Sequence, residues 1–282
     1  MKVVFNNKCL EYQSLGHPES PQRVKLIYEE LKKDKQFEFV EPKEAKEEDL
    51  MLIHDGELIE SVKNNKVMDP DTPNMENIYY YASLSAGSAI AAAELALKEK
   101  YAFSLARPPG HHATKSRAGG FCYFNSIAVA VAYLLKQAKK VAILDIDVHH
   151  GNGTQDIFLS RKNIIFCSLH QVPLYPGTGL TSEKNCYNFP LSAGSNFAIY
   201  KEKLDIAISK IIEFHPDIFA VSLGFDTYKL DPLANIKLEI LDYFQIGRII
   251  KSLKLRTFFV LEGGYSNGIG KCAKEFFNGF LI

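Results

Sequence analysis

The run from Leu144 to Thr154, LDIDVHHGNGT, begins like the middle of a buried strand and then carries two carboxylates and two adjacent imidazoles. In an extended strand residues two apart share a face, so Asp145, Asp147 and His149 are expected to point one way and Ile146 and Val148 the other. Carboxylates gathered at a buried strand end need a cation or strong hydrogen-bond donors, because leaving them unpaired is costly. Alone, an Asp-x-His pair reads as a structural ion pair or a helix cap. A second aspartate changes that reading, since SLGFD (222 to 226) also ends a strand-like run, with Asp226. Two aspartates and one histidine leave a coordination position open, which is the pattern of a catalytic zinc. The oxygen-rich set also suits Fe(II), Co(II) or Mn(II).

A second constellation, ARPPGHHA (106 to 113), follows the strand-like YAFSLA. Its prolines and glycine fix a turn that delivers His111 and His112 to the same edge. Four of the eight histidines fall in two adjacent pairs, 111/112 and 149/150, each just after a candidate strand. A histidine beside a metal and its water is the expected general base, and a partner on its far nitrogen sets the tautomer. Asp145 and Asn152 are the candidate partners. In LEGGY (261 to 265) a Gly-Gly turn lets the backbone approach a ligand and presents Tyr265. By itself such a tyrosine reads as packing; beside an open metal site its hydroxyl can stabilise an oxyanion. The combination describes amide hydrolysis.

These residues need a scaffold, and the chain supplies short apolar runs between helical stretches. KVVF, YAFSLA (101 to 106), VAILDID (141 to 147), IIFCSL (164 to 169), IFAVSLG (218 to 224) and TFFVLEGG (257 to 264) read as strands. Several lack apolar/polar alternation, as strands covered on both faces do. Ser20-Pro21 followed by Val24, Ile27 and Leu31 reads as a capped helix start, and 83–100 and 126–140 as further helices. Strand-helix alternation predicts a mostly parallel sheet wrapped by helices in one three-layer domain, 1–282, with ligands at the carboxyl ends of the strands. The charged run EPKEAKEED (41 to 49) reads as a solvated surface segment.

Composition narrows the class. Lys+Arg and Asp+Glu are equal at 33 each, so no bulk positive field draws the chain to nucleic acid or anionic lipid. Five widely spaced cysteines with no C-x-x-C pair argue for reduced thiols and a cytoplasmic protein. The longest apolar run, SIAVAVAYLL, falls short of the roughly 18 residues of a membrane span.

With RPPGHHA, GGFCYFNSIAVA, DIDVHHGNGTQ, SLHQVPLYPGTG, SLGFD and LEGGY in this order, and HPESPQRV near the start, the chain resembles the histone deacetylase and acetylpolyamine amidohydrolase superfamily, on its class II-like side. The resemblance implies an arginase/deacetylase fold, a three-layer α/β arrangement around a sheet of about eight strands, with zinc at the base of a narrow tunnel. It implies Asp147, His149 and Asp226 as metal ligands, with Fe2+ or Co2+ able to replace Zn2+. It assigns His111 and His112 as the tandem histidines, with Asp145 behind the first and Asn152 behind the second, and Tyr265 as the group that polarises the acetyl carbonyl. Phe121 and Tyr175 match the aromatics flanking the acyl chain, Gly120 lies between wall and metal, and His150 is structural. A potassium ion is implied near Asp145 and the backbone around Asp147, His149, Ser168 and Leu169.

Asn152 looks normal for class II-like members and bears on the base, whereas Leu233 and a short segment bear on substrate. Related enzymes often place an aspartate where this chain has Asn152, and an amide orients His112 without raising its pKa as a charge does. Leu233, seven residues after Asp226, is apolar where the polyamine-preferring branch carries an acidic gatekeeper. The short segment between HPESPQRV and RPPGHHA also leaves little room for the loop through which some polyamine-specific members dimerise. The expectation is therefore a zinc-dependent amidohydrolase that removes acetyl or other acyl groups from ε-N-acyl-lysine in proteins or peptides. Deacetylation of acetylpolyamines or another small N-acetyl amine is the alternative. Neither nucleic acid nor membrane is expected as a partner, and the oligomeric state is open. An inactive acyl-lysine binder would have lost a ligand or Tyr265, and a binuclear arginase site needs more aspartates than one D-x-D-x-H run offers.

Overall fold

The computed structural model describes residues 1–282. Eight strands, β1 (Lys2–Val4), β2 (Glu38–Val40), β3 (Tyr101–Ser104), β4 (Val141–Asp145), β5 (Ile164–Gln171), β6 (Cys186–Leu191), β7 (Ile218–Leu223) and β8 (Arg256–Leu261), form one sheet. Its order is β2-β1-β3-β8-β7-β4-β5-β6, and every neighbouring pair is parallel. The nine helices are α1 (Pro21–Leu31), α2 (Glu47–Leu50), α3 (Gly56–Lys63), α4 (Ile78–Glu99), α5 (Ser126–Leu134), α6 (Asn152–Phe158), α7 (Phe197–Phe214), α8 (Ile240–Ser252) and α9 (Ile269–Leu281). None is long and apolar enough to cross a membrane.

The missing alternation in the strands has a direct cause. In β4, Ala142 and Leu144 join one apolar cluster with residues of α1, α7, α8 and α9, while Val141 and Ile143 join a second with residues of α3, α4 and α5. Both faces of the sheet are covered, so every strand position must be apolar or paired. This is the three-layer arrangement expected, with no antiparallel strand.

Local boundaries differ from the sequence reading where side chains intercept the backbone. The strand expected over 141–147 stops at Asp145, because the Asp145 carboxylate accepts the Asp147 N–H at 3.1 Å and turns the chain. The helix expected over 126–140 ends at Leu134, and the Lys139 and Lys140 N–H groups donate to Asp217 at 2.9 and 2.8 Å to start β4. The run 41–49 is solvated only through its side chains. Ala45 is buried with its N–H on Ser83 O at 2.9 Å, and Glu47 opens α2. Two strands escaped the sequence reading: β2 is three residues long, and β6 carries Asn188 and Pro190 at the sheet edge.

Candidate active site

Strands β3, β8, β7 and β4 are neighbours, so the loops leaving their carboxyl ends meet although they lie far apart in sequence. The β4 loop brings Asp147 and His149, and the β7 loop brings Asp226. One candidate ligand atom from each lies within 4.8 Å of the others, and all three residues are buried. An extended strand is not what gathers them. Asp147 Oδ1 accepts the His149 N–H at 2.9 Å and lies 3.0 Å from His149 Nδ1, while Asp226 Oδ1 accepts the Val148 N–H at 2.8 Å. Gly263, after β8, donates its N–H to Asp147 Oδ2 at 2.6 Å. A Cβ at Gly263 would stand 2.1 Å from Asp226 Oδ2, so only glycine permits this approach.

The donor set fits a divalent cation. Asp226 Oδ2 is buried and accepts no hydrogen bond, although His149 Nδ1 lies 3.3 Å away. Burial and the neighbouring Asp147 charge push the Asp226 carboxyl up to about 7. Burial opposes charge at His149, yet the two carboxylates hold its pKa up at about 10. The cluster is short of positive charge, and two carboxylate oxygens with one imidazole nitrogen form a zinc-type set with room for further ligands.

Behind these candidate ligands stand the tandem histidines. His111 Nδ1 lies 2.9 Å from Asp145 Oδ2, and His112 Nδ1 lies 2.7 Å from Asn152 Oδ1. Their environments split the pair. At His111 burial is overcome by the Asp145 and Asp147 charges, which hold its pKa at about 10; burial, reinforced by the charges of His111 and His149, pushes His112 well below the usual imidazole value. The carboxylates beside His111 favour its proton, whereas the surroundings of His112 favour the neutral ring.

A cavity of about 380 Å³ opens above this base, lined by His112, Gly120, Phe121, His149, Tyr175, Leu233 and Tyr265 among others. Of the expected site residues, those seven face the cavity, while His111, Asp145, Asp147, Asn152 and Asp226 lie behind it. The edge of Phe121 meets Tyr265 with ring centres 5.7 Å apart, and Tyr175 stands edge-on to His112 at 5.0 Å. Burial lifts the Tyr265 phenol well above its usual pKa, so it stays a proton donor. His150, off the cavity, is satisfied at both nitrogens by Thr178 and Gln155.

Three supports had no role in the sequence reading. Glu262 Oε2 accepts the N–H groups of Gly110 and His111 at 2.7 and 3.1 Å, fixing the tandem-histidine turn from β8. Asp231 accepts the Tyr265 N–H at 2.6 Å. Arg23, on α1, donates to Gly264 O at 2.6 Å and lies over the Tyr265 ring at 4.7 Å. An acid inside FFVLEGG and an arginine four residues before Ile27 on the apolar stripe of α1 were visible signals for the first and third; nothing local signals Asp231.

Known proteins share the sequence pattern and the fold. The family described as "Histone deacetylase domain" matches residues 17–280. A "Probable deacetylase" of Archaeoglobus fulgidus is 36% identical over 290 residues, covering 94% of this chain and 81% of its own. "Acetylpolyamine amidohydrolase 1" of Pseudomonas aeruginosa is 33% identical over 299 residues, covering 88% of this chain and 86% of its own. The crystal structure of an acetylpolyamine aminohydrolase from Burkholderia pseudomallei superposes with a TM-score of 0.93 at 28% identity, covering 99% of this chain and 98% of that one. The fold is thus the arginase/deacetylase fold, and the chain belongs to the histone deacetylase and acetylpolyamine amidohydrolase superfamily, on its class II-like side.

Proposed function

We propose that the protein is a zinc-dependent deacetylase that hydrolyses the amide of a small N-acetylated amine of the polyamine class, giving acetate and a free amine. The observation that carries the chemistry is the convergence of Asp147, His149 and Asp226 beneath a cavity that also holds a neutral histidine and a phenol. Relatives named for acetylpolyamines support the small-amine substrate, moving it ahead of the acyl-lysine expected from the sequence.

When bound, a divalent ion at these three residues polarises the amide carbonyl and lowers the pKa of water. Asn152 Oδ1 accepts a hydrogen bond from the His112 Nδ1–H, which leaves Nε2 free as the base on the cavity side. His112 takes a proton from the attacking water and passes it to the departing nitrogen as the C–N bond breaks. Tyr265 donates to the developing oxyanion, and Asp145 fixes the His111 ring behind the site. Phe121 and Tyr175 hold the methylene chain between them. Asp145 and Ser168 are opposite each other in the β4–β5 register, which suits the implied potassium ion.

Acyl-lysine remains the second reading, favoured by Leu233, which puts an apolar residue on the cavity wall. Turnover of N-acetylputrescine and of an acetyl-lysine peptide by zinc-loaded protein, beside His112→Ala and Tyr265→Phe, tests both. Turnover of the polyamine that collapses in both variants supports the proposal, and turnover of the peptide alone replaces it with the second reading. Metal analysis and melting provide a readout apart from activity. Saturating zinc raises the melting temperature of wild type, as about 3 kcal/mol of linkage at a hundredfold excess over Kd requires, and leaves Asp226→Ala unmoved.

A further inference from the structure

Phe121 carries φ of 71°, a left-handed conformation that a bulky side chain seldom adopts, and Gly120 before it carries φ of 55°. Such a backbone persists only where its surroundings over-determine it. Here they come from a segment about fifty residues earlier. The Phe121 N–H donates to Thr72 Oγ1 at 3.0 Å, the Gly120 N–H donates to Asp69 Oδ2 at 3.3 Å, and the Thr72 hydroxyl donates to that same Asp69 oxygen at 2.6 Å. The Thr72 N–H closes the segment on Asp69 O at 3.2 Å, and Thr72 is wholly buried. Beyond this ring of bonds, His17 sets its edge against Phe121 with ring centres 4.6 Å apart, and its Nε2 lies 3.2 Å from Asp71 O.

We propose that Asp69 and Thr72 are positioning residues that clamp the Gly120–Phe121 turn in its left-handed form and thereby set the aromatic wall along which the substrate chain lies. Thr72 serves as acceptor and donor at once, so its hydroxyl links the strained amide to a carboxylate; a merely local turn would need neither Phe121 nor Gly120. The consequence for substrate rests on the deacetylase reading, whereas the clamp itself does not.

The test is hydrogen exchange on the full chain, with steady-state kinetics on N-acetylputrescine beside it, for wild type, Thr72→Val and Thr72→Ser. Thr72→Val keeps the side-chain shape and removes the hydroxyl. Exchange of the segment 119–122 should quicken about tenfold or more in Thr72→Val, while Val141–Asp145 in β4 keeps its wild-type rate and Thr72→Ser stays close to wild type. KM should rise about tenfold with kcat changed by less than about threefold, and serine should restore KM. Wild-type exchange across 119–122 in Thr72→Val overturns the clamp. Faster exchange with KM unmoved overturns its role in setting the wall. If Thr72→Val does not fold, Asp69→Ala, at a partly exposed position, carries the same two readouts. A wild type that hydrolyses no acetyl amide sinks the functional reading, and the exchange result then still decides the clamp.

Discussion

One carboxylate, that of Asp231, holds the catalytic candidate Tyr265 and the wall residue Leu233 together. Its Oδ2 accepts the Tyr265 N–H at 2.6 Å and its Oδ1 accepts the Leu233 N–H at 3.0 Å. Asp231→Asn can accept only one of these bonds and turns its own N–H toward the other donor. The expected loss is about 1 to 3 kcal/mol of stability, with kcat reduced about tenfold as Tyr265 loses its aim; urea unfolding and kinetics read the two separately.

Asn152→Asp places a charge where His112 now meets an amide. A carboxylate stabilises the imidazolium, so the His112 pKa rises and the neutral base is lost at a higher pH. The acid limb of the kcat/KM profile should move up by about one pH unit, and an unmoved limb would show that His112 is not the base that profile reports.

His54 predicts acid sensitivity outside the catalytic groups. Its Nδ1 lies 3.0 Å from Thr114 O, its Nε2 accepts the Asn125 N–H at 2.9 Å, and burial pushes its pKa down to about 4. The folded protein binds this proton less readily than the unfolded chain. Its contribution is therefore complete above about pH 6.5 and is lost as pH falls toward 4, about 3 kcal/mol in all. Urea midpoints should fall between pH 7 and pH 4, with buried His150 and His170 adding to the slope for the same reason, and His54→Gln, which cannot charge, should make it shallower by the His54 share.

Glu262 offers a contrast between charge and shape. Burial pushes its pKa to about 7, and its oxygens accept Gly110 N–H, His111 N–H and the Ser222 hydroxyl. Glu262→Gln keeps an oxygen for the two amides and should lose less than about 1 kcal/mol, whereas Glu262→Ala strands three buried donors and should lose about 3 kcal/mol or more. Equal losses in thermal melts of the two variants would show that the charge matters more than the bonds.

The sheet was legible because a strand buried on both faces must be apolar throughout, and VAILD or IFAVSL has few other uses. The candidate metal cluster was legible in composition but not in geometry. Asp147 and His149 were expected to share a strand face, and instead the Asp145 and Asp147 carboxylates capture the amides two residues on and fold the loop inward. Asp231, Asp69 and Thr72 were invisible because each acts on backbone 34 to 51 residues away, where no spacing rule applies. Short β2 and polar β6 failed for the opposite reason: edge strands have little to bury.

The last strand in the chain, β8, lies in the middle of the sheet, between β3 and β7. On a ribosome the β1–β3 lobe and the β4–β7 lobe both emerge before it, with their inner edges unsatisfied and side by side. Residues 256–261 therefore act as a keystone inserted after both lobes have been made. The same segment delivers Gly263 and Tyr265, so Asp147 gains the Gly263 amide only as the two lobes are sealed. A nascent chain halted before residue 256 already carries His111, His112 and His149 of the candidate site, and two open sheet edges that invite a neighbouring chain.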